Sequence, residues 1–91
     1  MAYKVELVEE MQRDLAKLDR QVARRILTFL NERVATLDDP RSLGEPLKGS
    51  RLGDLWKYRV GDWRVIAEIQ DESVCVLILQ IGHRREIYRP R

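Results

Sequence analysis

The sequence lacks the features that mark several large classes of protein. Its 91 residues contain one cysteine, Cys75, which has no partner for an internal disulfide. No apolar run approaches the roughly 18 residues of a membrane span, and the N-terminal residues lack the apolar stretch of a signal peptide. Neither a zinc-ligand spacing nor a phosphate-binding glycine loop is present. We therefore expect a cytoplasmic protein that uses no metal and no cofactor and does not contact a membrane.

The composition is that of one small globular domain, which we expect to span residues 1–91. Hydrophobic residues make up 44% of the chain and charged residues 35%, which excludes a disordered chain. The net charge of +2 is unevenly distributed: residues 1–40 have a balance of −1, and residues 41–91 have a balance of +3. A basic bias in one half of a domain favours an anionic partner for that half.

The hydrophobic pattern predicts an α+β fold with the element order β-α-α-β-β-β. Alternation over residues 3–7 predicts a short strand, and apolar residues at three- and four-residue steps predict helices over 8–18 and 22–37. Asp19 is expected to cap the second helix and Pro40 to follow its end, with a loop over 38–54. Strands are predicted over about 55–60, 63–70 and 73–81. The expected architecture is a helical hairpin packed on one face of a small, mainly antiparallel sheet that includes the N-terminal strand.

The turn between the first two of these three strands sets two arginines against each other. Gly61-Asp62 has the composition of a two-residue hairpin loop, which pairs Val60 with Trp63 and Arg59 with Arg64. Like charges directly opposite on one sheet face destabilise the sheet. The arrangement is explained if an anion, such as a phosphate, normally lies between them.

Alternation along the strands assigns side chains to the two faces of the sheet. The face that the helices should cover carries Trp56, Tyr58, Val60, Trp63, Val65, Ala67 and Ile69. The other face carries Lys57, Arg59, Arg64 and Glu68 together with Leu55, Ile66, Leu77 and Leu79. An apolar floor weakens solvent screening, so these cations should act strongly on a bound phosphate. Asp71-Glu72 is expected to form the second tight turn of the sheet.

The C-terminal residues add a histidine, arginines and a tyrosine. Histidine ordinarily titrates near neutral pH, which makes His83 a candidate general acid or base. Tyr88 lies among arginines, a pattern that suits stacking on an unpaired RNA base. Gly82 can break the two-residue period of the preceding strand, so counting leaves the directions of His83 and Arg84 open.

Three segments together resemble the RelE/ParE toxin superfamily. They are Leu47-Lys48-Gly49, the hairpin from Leu55 to Val65, and Gly82-His83-Arg84-Arg85-Glu86-Ile87-Tyr88, of which the last is more similar to the RelE branch. The resemblance implies a toxin of a type II toxin–antitoxin system, neutralised by a RelB-like antitoxin whose complex with the toxin binds its own promoter DNA. RelE-like members cut mRNA in the ribosomal A site without a metal, by attack of a ribose 2′-OH on the adjacent phosphate.

The same resemblance implies roles for individual residues. It assigns catalysis to Lys57, Arg59, Arg64, His83, Arg84 and Tyr88, and RNA binding to Lys48, Arg51, Arg85 and Arg89. Arg59 stands where RelE has a lysine as its presumed base, and an arginine stays protonated. Either His83 or Lys57 is then the expected base, or the ribosome aligns the substrate and the protein supplies mostly electrostatic stabilisation. Two alternatives stay open: a ParE-like inhibitor that binds DNA gyrase without cutting RNA, and a protein that acts only with its antitoxin as a repressor.

Overall fold

The computed structural model describes residues 3–47 and 55–85. Two helices and a five-stranded sheet follow one another in nearly the predicted order. The strands are β1 (Lys4–Leu7), β2 (Glu45–Pro46), β3 (Leu55–Val60), β4 (Trp63–Gln70) and β5 (Cys75–His83), and the helices are α1 (Glu9–Lys17) and α2 (Arg20–Thr28). The α+β prediction is confirmed.

The sheet has the strand order β1-β5-β4-β3-β2. Strand β1 lies parallel to β5, while the other neighbours pair antiparallel, so the prediction that the N-terminal strand joins the same sheet is confirmed. The structure adds β2, which the sequence pattern placed in a loop. This two-residue strand pairs Glu45 with Lys57 and Pro46 with Trp56. Two residues are too short to show alternation, and the ladder to β3 is what makes them a strand.

The helices begin and end for local reasons. The Asp19 carboxylate accepts a hydrogen bond from the Gln21 N–H at 3.0 Å, which confirms the predicted cap of α2. Beyond Thr28 the helix widens into a π-helical turn, Phe29–Val34, in which the Ala35 N–H donates to the Leu30 carbonyl. No helix within residues 3–47 and 55–85 is long and apolar enough to cross a membrane.

The core lies between the helices and one face of the sheet. Ile26, Leu30 and Val34 are fully buried at four-residue steps along α2 and the π-helical turn. From the sheet, Tyr58, Val60, Val65, Ala67 and Ile69 meet them, and Trp56 and Trp63 pack at the margin. These are the seven side chains that alternation assigned to the helix-facing side.

A β-bulge in β5 shifts the pairing between β4 and β5. Ala67 pairs with Ile78 but Ile66 pairs with Gln80, which leaves Leu79 as the extra residue. The strand's two-residue period therefore changes at Leu79 rather than at Gly82. The connection before β5 spans residues 71–74 and is therefore longer than the expected two-residue turn. Val74, at its end, has a positive φ of 50°.

The loop between the helices and β2 is anchored by polar contacts. Arg41 donates to both carboxylate oxygens of Asp71, at 3.1 and 2.9 Å, and lies over the Trp56 ring. The hydrogen bond from Arg41 and, to a smaller extent, the one from Tyr3 lower the pKa of Asp71. The Tyr58 hydroxyl donates to the Pro40 carbonyl at 2.6 Å. These contacts hold the loop against the sheet and so position β2 beside β3.

Candidate functional site

A cavity on the sheet face away from the helices gathers half of the predicted site residues. We call it the arginine pocket. Its volume is about 520 Å³, and it is lined by Glu45, Lys57, Arg59, Arg64, Arg84 and Arg85. Four of the six predicted catalytic residues and one of the predicted RNA-binding residues thus lie together.

The β3–β4 hairpin supplies the centre of the pocket. Gly61 adopts φ 60°, a conformation that favours glycine, and the turn pairs Arg59 directly with Arg64 as predicted. The two arginines differ in their surroundings. Arg59 is exposed, whereas Arg64 is only 8% exposed and its Nη1 donates to the carbonyls of Gly61 and Trp63, both at 2.9 Å. Arg64 is therefore fixed to the turn, and Arg59 is free to follow a ligand.

A carboxylate lies beside the cations of the pocket. The β2–β3 ladder pairs Glu45 with Lys57, and the Lys57 Nζ lies 3.5 Å from a Glu45 carboxylate oxygen. Sequence reasoning missed Glu45 because it fell in a predicted loop, and no local pattern marks it. A carboxylate is a hydrogen-bond and proton acceptor, which the other five lining side chains are not when charged.

The residue after β5 is tied to the hairpin turn. The Arg84 N–H donates to the Asp62 carbonyl at 2.8 Å, and the Arg84 Nε lies 3.7 Å from the Asp62 carboxylate. These contacts bring Arg84 to the mouth of the arginine pocket, next to the exposed Arg85.

His83 lies apart from this group. In the β4–β5 ladder it pairs with Trp63, while Arg64 pairs with Gly82. Directly opposite residues share a face, so His83 is on the helix-covered side, where its ring meets the Trp63 ring edge-on at 5.8 Å. Its Nδ1 accepts a hydrogen bond from the Arg85 N–H at 3.2 Å. Within the described residues, His83 does not line the arginine pocket.

Four predicted site residues lie outside the described residues: Lys48, Arg51, Tyr88 and Arg89. Their roles stay predictions.

The sheet face that carries the pocket is partly apolar, as alternation predicted. Lys57 pairs with Ile66, which is 7% exposed, and Glu68 pairs with Leu55 on one side and Leu77 on the other. Leu79 is the bulge residue. The five cations of the pocket suit a phosphate, because guanidinium groups form strong, charge-assisted hydrogen bonds with phosphate oxygens.

A helical hairpin packs on one face of a small mixed sheet, with a cationic pocket on the other face, and this α+β fold matches that of solved RelE-type toxins. A model of the family described as "ParE toxin of type II toxin-antitoxin system, parDE" matches residues 5–88. The chain belongs to this RelE/ParE toxin family, and it is the toxin of a type II toxin–antitoxin system.

Individual relatives agree with the family assignment. The chain is similar to toxin RelG of Mycobacterium tuberculosis, with 32% identity over 89 residues that cover 98% of this chain and 99% of RelG. It is also similar to toxin RelE of the same organism, with 33% identity over 87 residues, 96% of this chain and 87% of RelE. The solved toxin–antitoxin complex RelBE2 of Mycobacterium tuberculosis superposes with a TM-score of 0.80 at 28% identity, covering 92% of this chain and 100% of that one.

Proposed function

We propose that this toxin is a ribosome-dependent mRNA endoribonuclease that cleaves without a metal. The observation that carries the proposal is the arginine pocket, in which five cations and one carboxylate converge on a surface large enough for a nucleotide phosphate. Similarity to RelE and RelG favours the RNA-cleaving branch of the family.

The reaction begins when a ribose 2′-OH loses its proton and its oxygen attacks the adjacent phosphorus. The bond to the 5′-oxygen of the next nucleotide then breaks, leaving a 2′,3′-cyclic phosphate and a 5′-hydroxyl. Negative charge grows on the phosphoryl oxygens, where preorganised cations stabilise the transition state more than the ground state. Arg64, held by the turn, and Arg59, opposite it, are assigned to these oxygens.

We assign the two proton transfers to the Glu45–Lys57 pair. The Glu45 carboxylate accepts the proton of the 2′-OH, and the Lys57 ammonium donates a proton to the departing 5′-oxygen. Arg84 supports the leaving group by charge, since arginine does not release its proton. His83 becomes a positioning residue, because its Nδ1 holds the backbone of Arg85. The proposed base stacking by Tyr88 and the RNA contacts of Lys48, Arg51, Arg85 and Arg89 complete the assignment.

Translation in a reconstituted system, followed by primer extension on the message, tests the activity. We expect new, codon-specific 3′ ends at ribosomes. The ParE-like alternative, supported by the family model that matches, predicts instead that translation proceeds while DNA supercoiling by gyrase stops. That second result would overturn the proposal.

Replacing Glu45 tests the proton transfer. Glu45→Gln should lower the single-turnover cleavage rate about 100-fold, a typical contribution of a general base. Glu10→Gln is the matched control, because Glu10 is an exposed carboxylate at the start of α1. An unchanged rate for Glu45→Gln would show that the carboxylate takes no part in proton transfer.

We further propose that a RelB-like antitoxin neutralises the toxin in the cytoplasm and that their complex binds its own promoter DNA. The support is the RelBE2 neighbour, a toxin–antitoxin complex of which the matched chain is covered over 100% of its length. Co-expression with the product of the adjacent gene, followed by co-purification and a promoter-binding assay, tests both parts.

A further inference from the structure

A second cavity opens beside the arginine pocket, between α2 with its π-helical turn and the tip of the β3–β4 hairpin. We call it the helix–hairpin cleft. Its volume is about 360 Å³, and its lining includes Arg25, Phe29, Arg33, Arg59, Val60 and Gly61. Arg59 lines both this cleft and the arginine pocket. The two cavities therefore adjoin at an exposed cation.

The helical side of the cleft presents cations on both sides of an aromatic ring. Arg25, Phe29 and Arg33 recur at four-residue steps, which places them on one face. Within the described residues, neither the Arg25 nor the Arg33 side chain makes an ion pair or a hydrogen bond. With Arg59 they give three guanidinium groups against one carboxylate, Glu32. The cleft is thus cationic, and its charges are available to a ligand.

The turn glycine lets Arg25 lie across the hairpin tip. A Cβ at Gly61 would lie 3.0–3.1 Å from the Arg25 guanidinium atoms, closer than ordinary contact. The side-chain-free turn thus leaves room for Arg25 in the cleft that Arg59 also lines. Below them, Phe29 meets the buried Tyr58 ring edge-on at 6.2 Å and Val60 is 5% exposed. This apolar floor reduces the screening of the guanidinium charges.

The backbone of the cleft is also unusual. Phe29 and Arg33 both belong to the π-helical turn, and such turns are rare and occur frequently at functional sites.

We propose that the helix–hairpin cleft binds a second RNA phosphate, with Arg25 and Arg33 as its ligands and Arg59 shared with the arginine pocket. The inference rests on the proposed function, because RNA in the arginine pocket is what brings a neighbouring phosphate to Arg59. The phosphate belongs either to the cleaved message or to ribosomal RNA, and the two sources are separable by experiment.

The test is the salt dependence of RNA affinity for two double variants of equal charge. Arg25→Gln/Arg33→Gln removes two of the three cleft cations and leaves Arg59 in place. Arg20→Gln/Arg24→Gln is the matched control, because both residues are exposed on α2 and line the groove between the helices but not the cleft. Each protein is titrated with RNAs of three and eight nucleotides, methylated at the 2′-oxygens to prevent cleavage, and with ribosomes carrying a methylated message. Thermal unfolding checks that both variants fold.

Loss of this one phosphate contact should reduce the slope of log affinity against log salt by about 0.7, the value for one phosphate of a single strand. If the message supplies the phosphate, the cleft variant shows this change with the longer RNA and with ribosomes but not with the trinucleotide. If ribosomal RNA supplies it, the change appears with ribosomes alone. The control should match the wild type throughout.

Equal slopes for the two double variants, in a protein whose wild type cuts RNA, would overturn the inference and leave the proposed function standing. An equal decrease with both RNA lengths would also overturn it, because that result indicates a long-range field rather than a contact. A wild type that neither binds nor cuts RNA would overturn the proposed function and the inference together.

Discussion

Replacing Arg64 with alanine should cost stability as well as activity. Arg64 is 8% exposed, and its Nη1 donates two hydrogen bonds to turn carbonyls. Hydrogen bonds from a charged donor contribute about 1.5–3 kcal/mol each. Two effects offset their loss: the carbonyls regain water at the exposed turn, and removal of the repulsion from Arg59 returns about 0.2–1 kcal/mol.

The net destabilisation should be about 1–3 kcal/mol. For a domain of this size each kcal/mol lowers the melting temperature by roughly 4–8 °C, so we expect a decrease of about 5–20 °C. Thermal unfolding followed by circular dichroism measures this decrease. Cleavage assays on the same preparations, run well below the melting temperature, separate the loss of activity from the loss of structure.

Two further variants isolate the cause. Arg59→Ala removes the same repulsion from an exposed position, so it should melt at or slightly above the wild-type temperature while also losing cleavage. Arg64→Lys keeps the charge with a single ammonium group and should fall between wild type and Arg64→Ala. An Arg64→Ala protein that melts at or above the wild-type temperature would refute the reasoning, because repulsion would then outweigh the hydrogen bonds to the turn.

Two other predictions concern single residues of the hairpin. Burial raises the pKa of Tyr58 to about 12, so the folded state holds the phenol proton more tightly than the unfolded state. The resulting stability, about 3 kcal/mol, is fully present below pH 10 and is lost as the pH rises toward 12. Tyr58→Phe should therefore reduce the decrease in the free energy of unfolding at alkaline pH, as measured by urea unfolding. A pH profile that the substitution leaves unchanged would contradict the assignment. Gly61→Ala should lower the free energy of unfolding by about 1–2 kcal/mol, because alanine is disfavoured at φ 60°. Gly61→Asn should lose less, and an alanine variant as stable as wild type would show that the turn has changed conformation.

Much of the fold follows from local pattern. Alternation placed Tyr58 and Val65 on the helix-facing side, and three- and four-residue steps predicted the helix that buries Ile26 and Leu30. The Gly61-Asp62 turn fixed the register of β3 and β4, because a two-residue loop leaves a single pairing. These elements were predictable because the residues that decide them are close together in the chain.

The candidate site was predictable in part for the same reason. Lys57, Arg59 and Arg64 lie on one hairpin, so their common face could be derived by counting. Glu45 and Arg25 come from distant segments and reach the hairpin only through packing. No local sequence pattern predicts their position. The nearly even charge balance of residues 1–40 also gave no sign that arginines from this half contribute to a cationic surface.

The sequence by itself determined that two arginines face each other across a tight turn, since both the turn and the alternation depend on residues that are adjacent in the chain. Only the tertiary structure decided which other side chains lie beside these arginines. The pairing of β2 with β3 brings a carboxylate to Lys57, and the helix packing places Arg25 over the turn. The bulge at Leu79 inverts the alternation of β5 and so turns His83 toward Trp63, away from Arg64. Where an extra residue enters a strand depends on the partner strand, and a single strand read alone does not contain that information.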